Sequence, residues 1–314
     1  MSEKLLTVSS SPHIRGTQTT RSLMTDVLIA LTPAAILSVV FFGYKSIILI
    51  LVCVGACIAS EAVAQKIRKK DITIGDMSAA VTGLLLALNL PINCPWWVAL
   101  IGSVSAIVIV KQLFGGIGCN FVNPALAARI ILVASWPQHM TGGAFLPVDA
   151  IASATPLALA KAGEMASTPS IMQLFIGNGV YGCIGEVSAL ALLLGGAYLV
   201  FRKVISARIP LVYLGTVALF SLLAGHNILF ELFSGGLMLG AIFMATDYVT
   251  SPSTAKGQII FAIGCGVITC IIRFYGGYPE GVSFSIIMMN VVSPLIDKYI
   301  RPKKYGEVKK KCAK

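Results

Sequence analysis

Ten apolar runs recur along this chain and decide what it can fold into; they lie near residues 27–42, 46–64, 77–90, 96–110, 125–136, 188–201, 209–224, 229–245, 258–272 and 282–296. Buried in hydrocarbon, each backbone amide must find its partner within its own segment or in a closed barrel. The runs lack the period-two alternation of barrel strands, so helices are the remaining choice. A share of 56% hydrophobic against 12% charged residues excludes an ordinary soluble domain. Several runs fall short of the roughly 20 residues that a straight span needs, so some must be broken helices or borrow polar flanks. Residues 1–22 are polar and carry Lys4, Arg15 and Arg21, which does not describe a cleavable signal peptide.

The net charge of +11 does not point to nucleic acid, because the basic residues gather beside apolar runs and leave no room for a recognition fold. It reads instead as topogenic charge. With the loops assigned alternately to the two sides of a membrane, 20 of the 24 Lys and Arg residues fall on the side of the N-terminus, Lys111 among them. The other side holds Lys45, Lys161 and Arg273, while Arg129 lies within a run. The expected protein is all-α and integral to a membrane, with about ten spans and both termini cytoplasmic. Its parts are a cytoplasmic segment 1–22, five helices in 23–136, an external loop 137–185, five more helices in 186–297 and a basic cytoplasmic tail 298–314. The eight cysteines form no CxxC pair and read as small core residues rather than cluster ligands.

The two halves share a pattern at an offset of about 161 residues. A small-residue helix holding Gly83 or Gly240 leads to a polar break at 89–95 or 246–253, then to an apolar helix and a double glycine, Gly115-Gly116 or Gly276-Gly277. Five spans per half is an odd number, so the second copy enters from the opposite side and the halves form inverted repeats, whose broken helices build a site near the midplane.

Five polar interruptions carry the chemistry. Residues 114–125 read FGGIGCNFVNPA, 149–157 DAIASATPL, 182–190 GCIGEVSAL, 244–254 MATDYVTSPST and 273–290 RFYGGYPEGVSFSIIMMN. In this order, and over nearly the whole chain, they resemble the family of the D subunit of the Rnf complex and the B subunit of the sodium-pumping NADH:quinone reductase. The short N-terminus is closer to the Rnf side of that family. The resemblance implies an electron-transfer subunit of a ferredoxin:NAD⁺ oxidoreductase that moves Na⁺ or H⁺, on a scaffold related to urea and ammonium channels. It implies FMN joined through its phosphate to a threonine, at a motif that here reads Ala152-Ser153-Ala154-Thr155 where Ser/Thr-Gly-Ala-Thr is usual. Thr155 keeps the acceptor position. It also implies a noncovalent riboflavin near Gly115, Gly116, Gly118, Asn120 and Asn123 on the cytoplasmic side. Implied partners are the A, B, C, E and G subunits of the Rnf complex, a flavin transferase and the lipid membrane.

Read from the residues alone, the segment 115–123 is a glycine-rich turn with two amides suited to a flavin edge, or equally a cap for the next helix. Ionisable residues in or beside spans need a reason. Glu186 and Asp247 could bind a coupling cation, with Ser188, Thr246 and Thr250 as hard oxygen ligands. The structural reading has both carboxylates cap helix ends while Arg129 pairs with carbonyls or reaches the interface. No nucleotide-binding glycine motif or ferredoxin-type cysteine run is present, so nicotinamide and ferredoxin chemistry falls to partners. The rival reading is a secondary transporter or channel with inverted repeats and no redox group. The loop 149–157 separates the two, since a plain transporter has no use for it.

Overall fold

The computed structural model describes residues 18–141, 155–162, 168–177, 179 and 182–300, and the described residues are helical, with no strand beyond an isolated bridge between Pro91 and Cys183. The first half holds α1 (Thr20–Phe42), α2 (Tyr44–Ile67), α3 (Ser78–Leu88), α4 (Trp96–Val104, continued in π-helical form over Ser105–Gln112) and α5 (Pro124–Ser135). Three short helices follow, α6 (Pro137–Met140), α7 (Pro156–Lys161) and α8 (Ile171–Ile176). The second half holds α9 (Ala189–Phe201), α10 (Arg208–Leu223), α11 (Ile228–Phe233), α12 (Leu237–Leu239, continued as a π turn over Gly240–Met244), α13 (Ala255–Tyr275) and α14 (Val282–Tyr299).

Three of these helices, α1, α2 and α13, are long and apolar enough to cross a membrane unaided. Polarity runs inside out relative to a soluble protein. On α1 and α2 the exposed positions are Ile36, Val40, Leu51 and Val63, while the buried ones include Asp26, Ser38, Ser46, Glu61 and Gln65. Apolar side chains turned outward and polar ones inward are what a lipid surround selects, because buried polar groups can pair with one another but not with acyl chains. Tyr213, held within 3.0 Å of the Thr269 and Ser285 hydroxyls, ties α10, α13 and α14 in the same manner.

Packing joins the two halves of the chain: α1 lies against α9, and α5 against α14. The α1–α9 contact is so close that a Cβ on Gly195 would overlap the carbonyl oxygen of Ala30. Breaks between helices are sealed by the opposite half. The N–H groups of Ile184 and Gly185 donate to the carbonyls of Leu90 and Leu88 at 3.0 and 2.8 Å, which pairs backbone groups that the end of α3 leaves open.

Two expectations are corrected here. The eighth apolar run is not one helix: α11 ends at Phe233, the chain turns through Ser234, Gly235 and Gly236, and α12 starts at Leu237. Paired glycines end a helix readily, and the turn is held by groups from elsewhere in the fold. Lys111 and Arg273 are not loop charges. Both are buried in ion pairs, Lys111 with Glu61 at 2.8 Å and Arg273 with Glu231 at 3.0 Å. Stripping one partner from such a pair leaves an uncompensated buried charge and typically costs about 3–5 kcal/mol, so these residues serve the interior before they serve topology.

Candidate functional site

Among the described residues one cavity lies between Lys161, His226, Glu231 and Arg273, and two others take in expected site residues. The outer one, about 1050 Å³ with its mouth included, has Thr155 at its rim. Its walls are largely apolar and aromatic, Met140, Leu157, Phe233, Tyr278 and Phe284 among them, with Tyr278 and Phe284 stacked at 5.2 Å between centroids. Its polar wall is Arg129, Glu186, Glu280 and Ser283. Thr155 is half-buried and caps α7: its hydroxyl accepts from the Ala158 N–H at 3.4 Å, and Pro156 takes the first helical position. Ala152, Ser153 and Ala154 of the motif lie outside the described residues.

Arg129 projects from α5 into the meeting point of both halves. One nitrogen donates to Asn89 Oδ1 at 2.9 Å, to Glu186 Oε1 at 3.2 Å and to Ser283 Oγ at 3.2 Å; the other reaches Glu280 Oε2 at 2.7 Å and Cys183 Sγ at 3.3 Å. Glu280 also accepts from the Gly236 N–H. A Cβ built on Gly236 would overlap Oε1 of both Glu186 and Glu280, so only glycine lets the two carboxylates converge there. Burial, with the Glu280 charge added, pushes the Glu186 carboxyl well above the usual carboxylate range against the pull of Arg129. Burial would raise Glu280 as well, but Arg129, Arg273 and the Gly236 N–H outweigh it and hold that carboxyl below its usual range. For Glu186 the linkage favours folding fully below the ordinary glutamate value, and this is lost as pH rises through the raised value of the folded state. For Glu280 it is present above the ordinary value and lost as pH falls.

The helix-cap reading of Glu186 is therefore corrected: Ser188 caps α9, accepting from the Ala191 N–H at 3.4 Å, and Glu186 is left to Arg129. Arg129 in turn pairs with carboxylates rather than with carbonyls or the interface. Two carboxylates beside a guanidinium offer it more than main-chain dipoles do.

The inner cavity, about 840 Å³, is lined by Asn120, Asn123, Ser78, Thr82, Lys111, Thr246 and Asp247 with apolar residues of α1 and α9. Asn123 does cap α5, its amide oxygen accepting from the Ala125 and Leu126 N–H groups at 3.1 and 3.4 Å, and its Nδ2 donates to the Met244 carbonyl at 3.3 Å. Asn120 donates to the Val122 carbonyl at 3.2 Å. Gly115, Gly116 and Gly118 form the turn before this wall, all at positive φ, and do not line the cavity. Asp247 accepts from the Thr250 hydroxyl at 3.1 Å, and burial raises its carboxyl above the usual value against that bond. Of the oxygen ligands expected in the two breaks, Thr246 donates to the Ile242 carbonyl at 2.7 Å and lines the inner cavity with Asp247, Thr250 donates to Asp247, and Ser188, two residues after Glu186, caps α9.

A buried seam joins the cavities. Asn89 accepts from Arg129 and donates to the Met244 sulfur at 3.5 Å, and Met244 accepts from Asn123 through its carbonyl. Sequence reasoning missed Glu61, Glu231 and Glu280 as site or core acids. The signal was available for Glu61 and Glu231, which sit inside apolar runs where a carboxylate demands a partner.

The sequence profile of the NQR2, RnfD, RnfE family matches residues 7–306. The chain is 60% identical over 317 residues to the D subunit of the Na(+)-translocating ferredoxin:NAD(+) oxidoreductase complex of Acetobacterium woodii, covering 100% of both chains. It is 43% identical to the D subunit of the proton-translocating ferredoxin:NAD(+) oxidoreductase complex of Clostridium ljungdahlii, covering 97% of each. The D subunit of the ion-translocating oxidoreductase complex of Escherichia coli K12 is 36% identical, over 96% of this chain and 99% of that one.

Proposed function

The chain belongs to the NQR2, RnfD, RnfE family, and from that premise we propose that it is the D subunit of an ion-translocating ferredoxin:NAD⁺ oxidoreductase complex, bearing FMN on Thr155 and passing electrons through the membrane. The observation that carries the reading is Thr155 at the rim of a cavity of about 1050 Å³ with aromatic walls and a buried arginine. That lining suits an isoalloxazine ring, with Phe233, Tyr278 and Phe284 for its faces and Arg129 and Ser283 for its polar edge. The inner cavity is where riboflavin would sit, with Ser78, Thr82, Asn120 and Asn123 as its polar contacts. Bound there, flavins supply one-electron chemistry; the chain's own residues position them, exclude water and set the local charge. The A, B, C, E and G subunits, and a flavin transferase, complete this reading.

The test is in-gel fluorescence of the denatured full chain, because only a covalent flavin survives denaturation. Mass spectrometry of the peptide spanning 149–161 should carry FMN on Thr155. An unmodified peptide from cells holding the transferase refutes the assignment.

Ten spans in two inverted repeats of the urea and ammonium channel type is the architecture this reading takes, supported by α1 against α9 and α5 against α14. A reporter fused after Lys314 should then be cytoplasmic and one inserted at Ala166 external; an external C-terminus would require an odd span count.

For the ion, the 60% identical relative is named as Na⁺-translocating and the 43% identical one as proton-translocating, which favours Na⁺ here. Asp247 at the inner cavity and Glu186 at the outer one are the acids placed for an ion route. Asp247→Asn should weaken the Na⁺ dependence of the assembled complex several-fold while leaving flavin content unchanged. An unaltered Na⁺ response would leave Asp247 with its turn to Thr250 alone.

A further inference from the structure

Beneath Thr155 the buried ion pairs run together into one line of charges. Glu231 of α11 holds Arg273 of α13 at 3.0 Å. One point beside Gly235 lies 3.3 Å from Glu280 Oε1 and 3.5 Å from Arg273 Nη2, so the arginine also faces Glu280. Glu280 meets Arg129 at 2.7 Å, and Arg129 meets Glu186 at 3.2 Å. The order is acid, base, acid, base, acid, drawn from both halves of the chain. With every group ionised the line carries one uncompensated negative charge, and in a buried setting a proton settles that charge more cheaply than solvation does. Two polar atoms in the line are unsatisfied: Ser234 Oγ and Arg273 Nε are buried and bond to nothing among the described residues, which marks a network still short of hydrogen-bonding partners.

We propose that this line holds one exchangeable proton, shared by Glu186 and Glu280, which is taken up when negative charge enters the Thr155 cavity and released when that charge leaves. The redox half of the proposal rests on the flavin reading, whereas the proton site does not. Both acids line the cavity wall, so the proton can pass to and from external water. The other groups facing the pair are the Cys183 thiol, which burial keeps protonated, the neutral Asn89 and Ser283, and Tyr278. Lys161 is turned to the carbonyls of Gly276 and Tyr278. None of these neutralises the excess charge. Uptake forms one O–H bond on a glutamate oxygen with a proton drawn from external water, which is left as hydroxide; the electron comes from a low-potential one-electron donor, which is oxidised, and would reduce the flavin held on Thr155. A negative charge about 10 Å away at an effective dielectric of about 20 moves a carboxyl up by about one pH unit, enough to change its occupancy near neutrality.

Infrared titration of the full chain in lipid, with and without ¹³C-labelled glutamate, reads the carbonyl stretch of a protonated carboxyl. One protonated glutamate is expected to persist well above the ordinary glutamate range and to be lost at higher pH. Glu186→Gln and Glu280→Gln should each abolish it, because either leaves two acids against two arginines, while Glu61→Gln, removed from the line, should not. No glutamate titrating above its ordinary range, or a band surviving in both Gln variants, overturns the proton site. In the second arm, chain that fluoresces in gel is reduced with dithionite at pH 7.5, and the reduced-minus-oxidised spectrum should gain the same band, with a deuterium shift. Flavin-bearing chain without that gain overturns the redox linkage. Chain without fluorescence refutes the flavin reading instead, and the first arm still decides the proton site.

Discussion

Thr155→Ala yields a chain that runs dark on a denaturing gel yet enters the membrane and assembles. The change removes the hydroxyl oxygen that would carry the phosphoester, and among the described residues of the same turn Pro156, Leu157 and Ala158 offer no hydroxyl to replace it. Electron flow through the complex should fall to background with it. The cost in stability is small but not nil. Sequence reading suggests a bare external threonine, whereas the structure makes it the cap of α7 through the Ala158 N–H, and losing such a cap costs about 1 kcal/mol. A short helix can fray at its start without disturbing the helices beneath, so a lowered Tm of a few degrees with normal assembly is the expected background to the total loss of fluorescence. Thr155→Ser keeps both the nucleophilic oxygen and the capping bond, and should retain part of the label. Fluorescence that persists in Thr155→Ala would place the attachment on another residue, with Ser153 and Thr168 the next hydroxyls to test.

Much of this architecture was legible in the sequence because the membrane leaves few alternatives. Apolar runs longer than a turn or two had to become helices, and the starts of α5, α9 and α13 follow from Asn123, Ser188 and Thr254, each an ordinary capping residue. The break at Gly235 and Gly236 was hidden by its apolar surroundings: a hydropathy reading averages over two glycines, whereas the backbone turns there because Glu280 pairs with the Gly236 N–H. The same averaging hid the acids. Glu61 and Glu231 each lie in runs whose neighbours outweigh one carboxylate, and their partners Lys111 and Arg273 stand 50 and 42 residues away. Thr155 was legible through a motif. That Glu280, in the polar segment 273–290, and Glu186 meet over Gly236 was not, since convergence of distant loops leaves no periodic trace.

Removing Arg129 should be the most damaging single change in the interior. Arg129→Gln keeps a polar side chain near Asn89 and Ser283 but withdraws the cation that faces both Glu186 and Glu280. Only Arg273 then remains to face three buried acids, and it is already held by Glu231. Breaking a buried pair in this way costs about 3–5 kcal/mol, a large share of a typical total stability of about 5–15 kcal/mol. The expected result is a chain recovered in low yield, with a thermal midpoint in detergent lowered by several degrees and a loss that worsens as pH rises, since protons relieve the unpaired acids at low pH. The double variant Arg129→Gln, Glu186→Gln discriminates between lost charge and lost packing. It returns the line to the charge balance of the parent, with Glu280 and Glu231 against Arg273, so it should recover part of the loss, with a coupling of about 0.5–3 kcal/mol across the double-mutant cycle. If the double variant is no more stable than Arg129→Gln at any pH, the damage comes from the missing hydrogen bonds to Asn89, Ser283 and Cys183, and the charge account of this site fails.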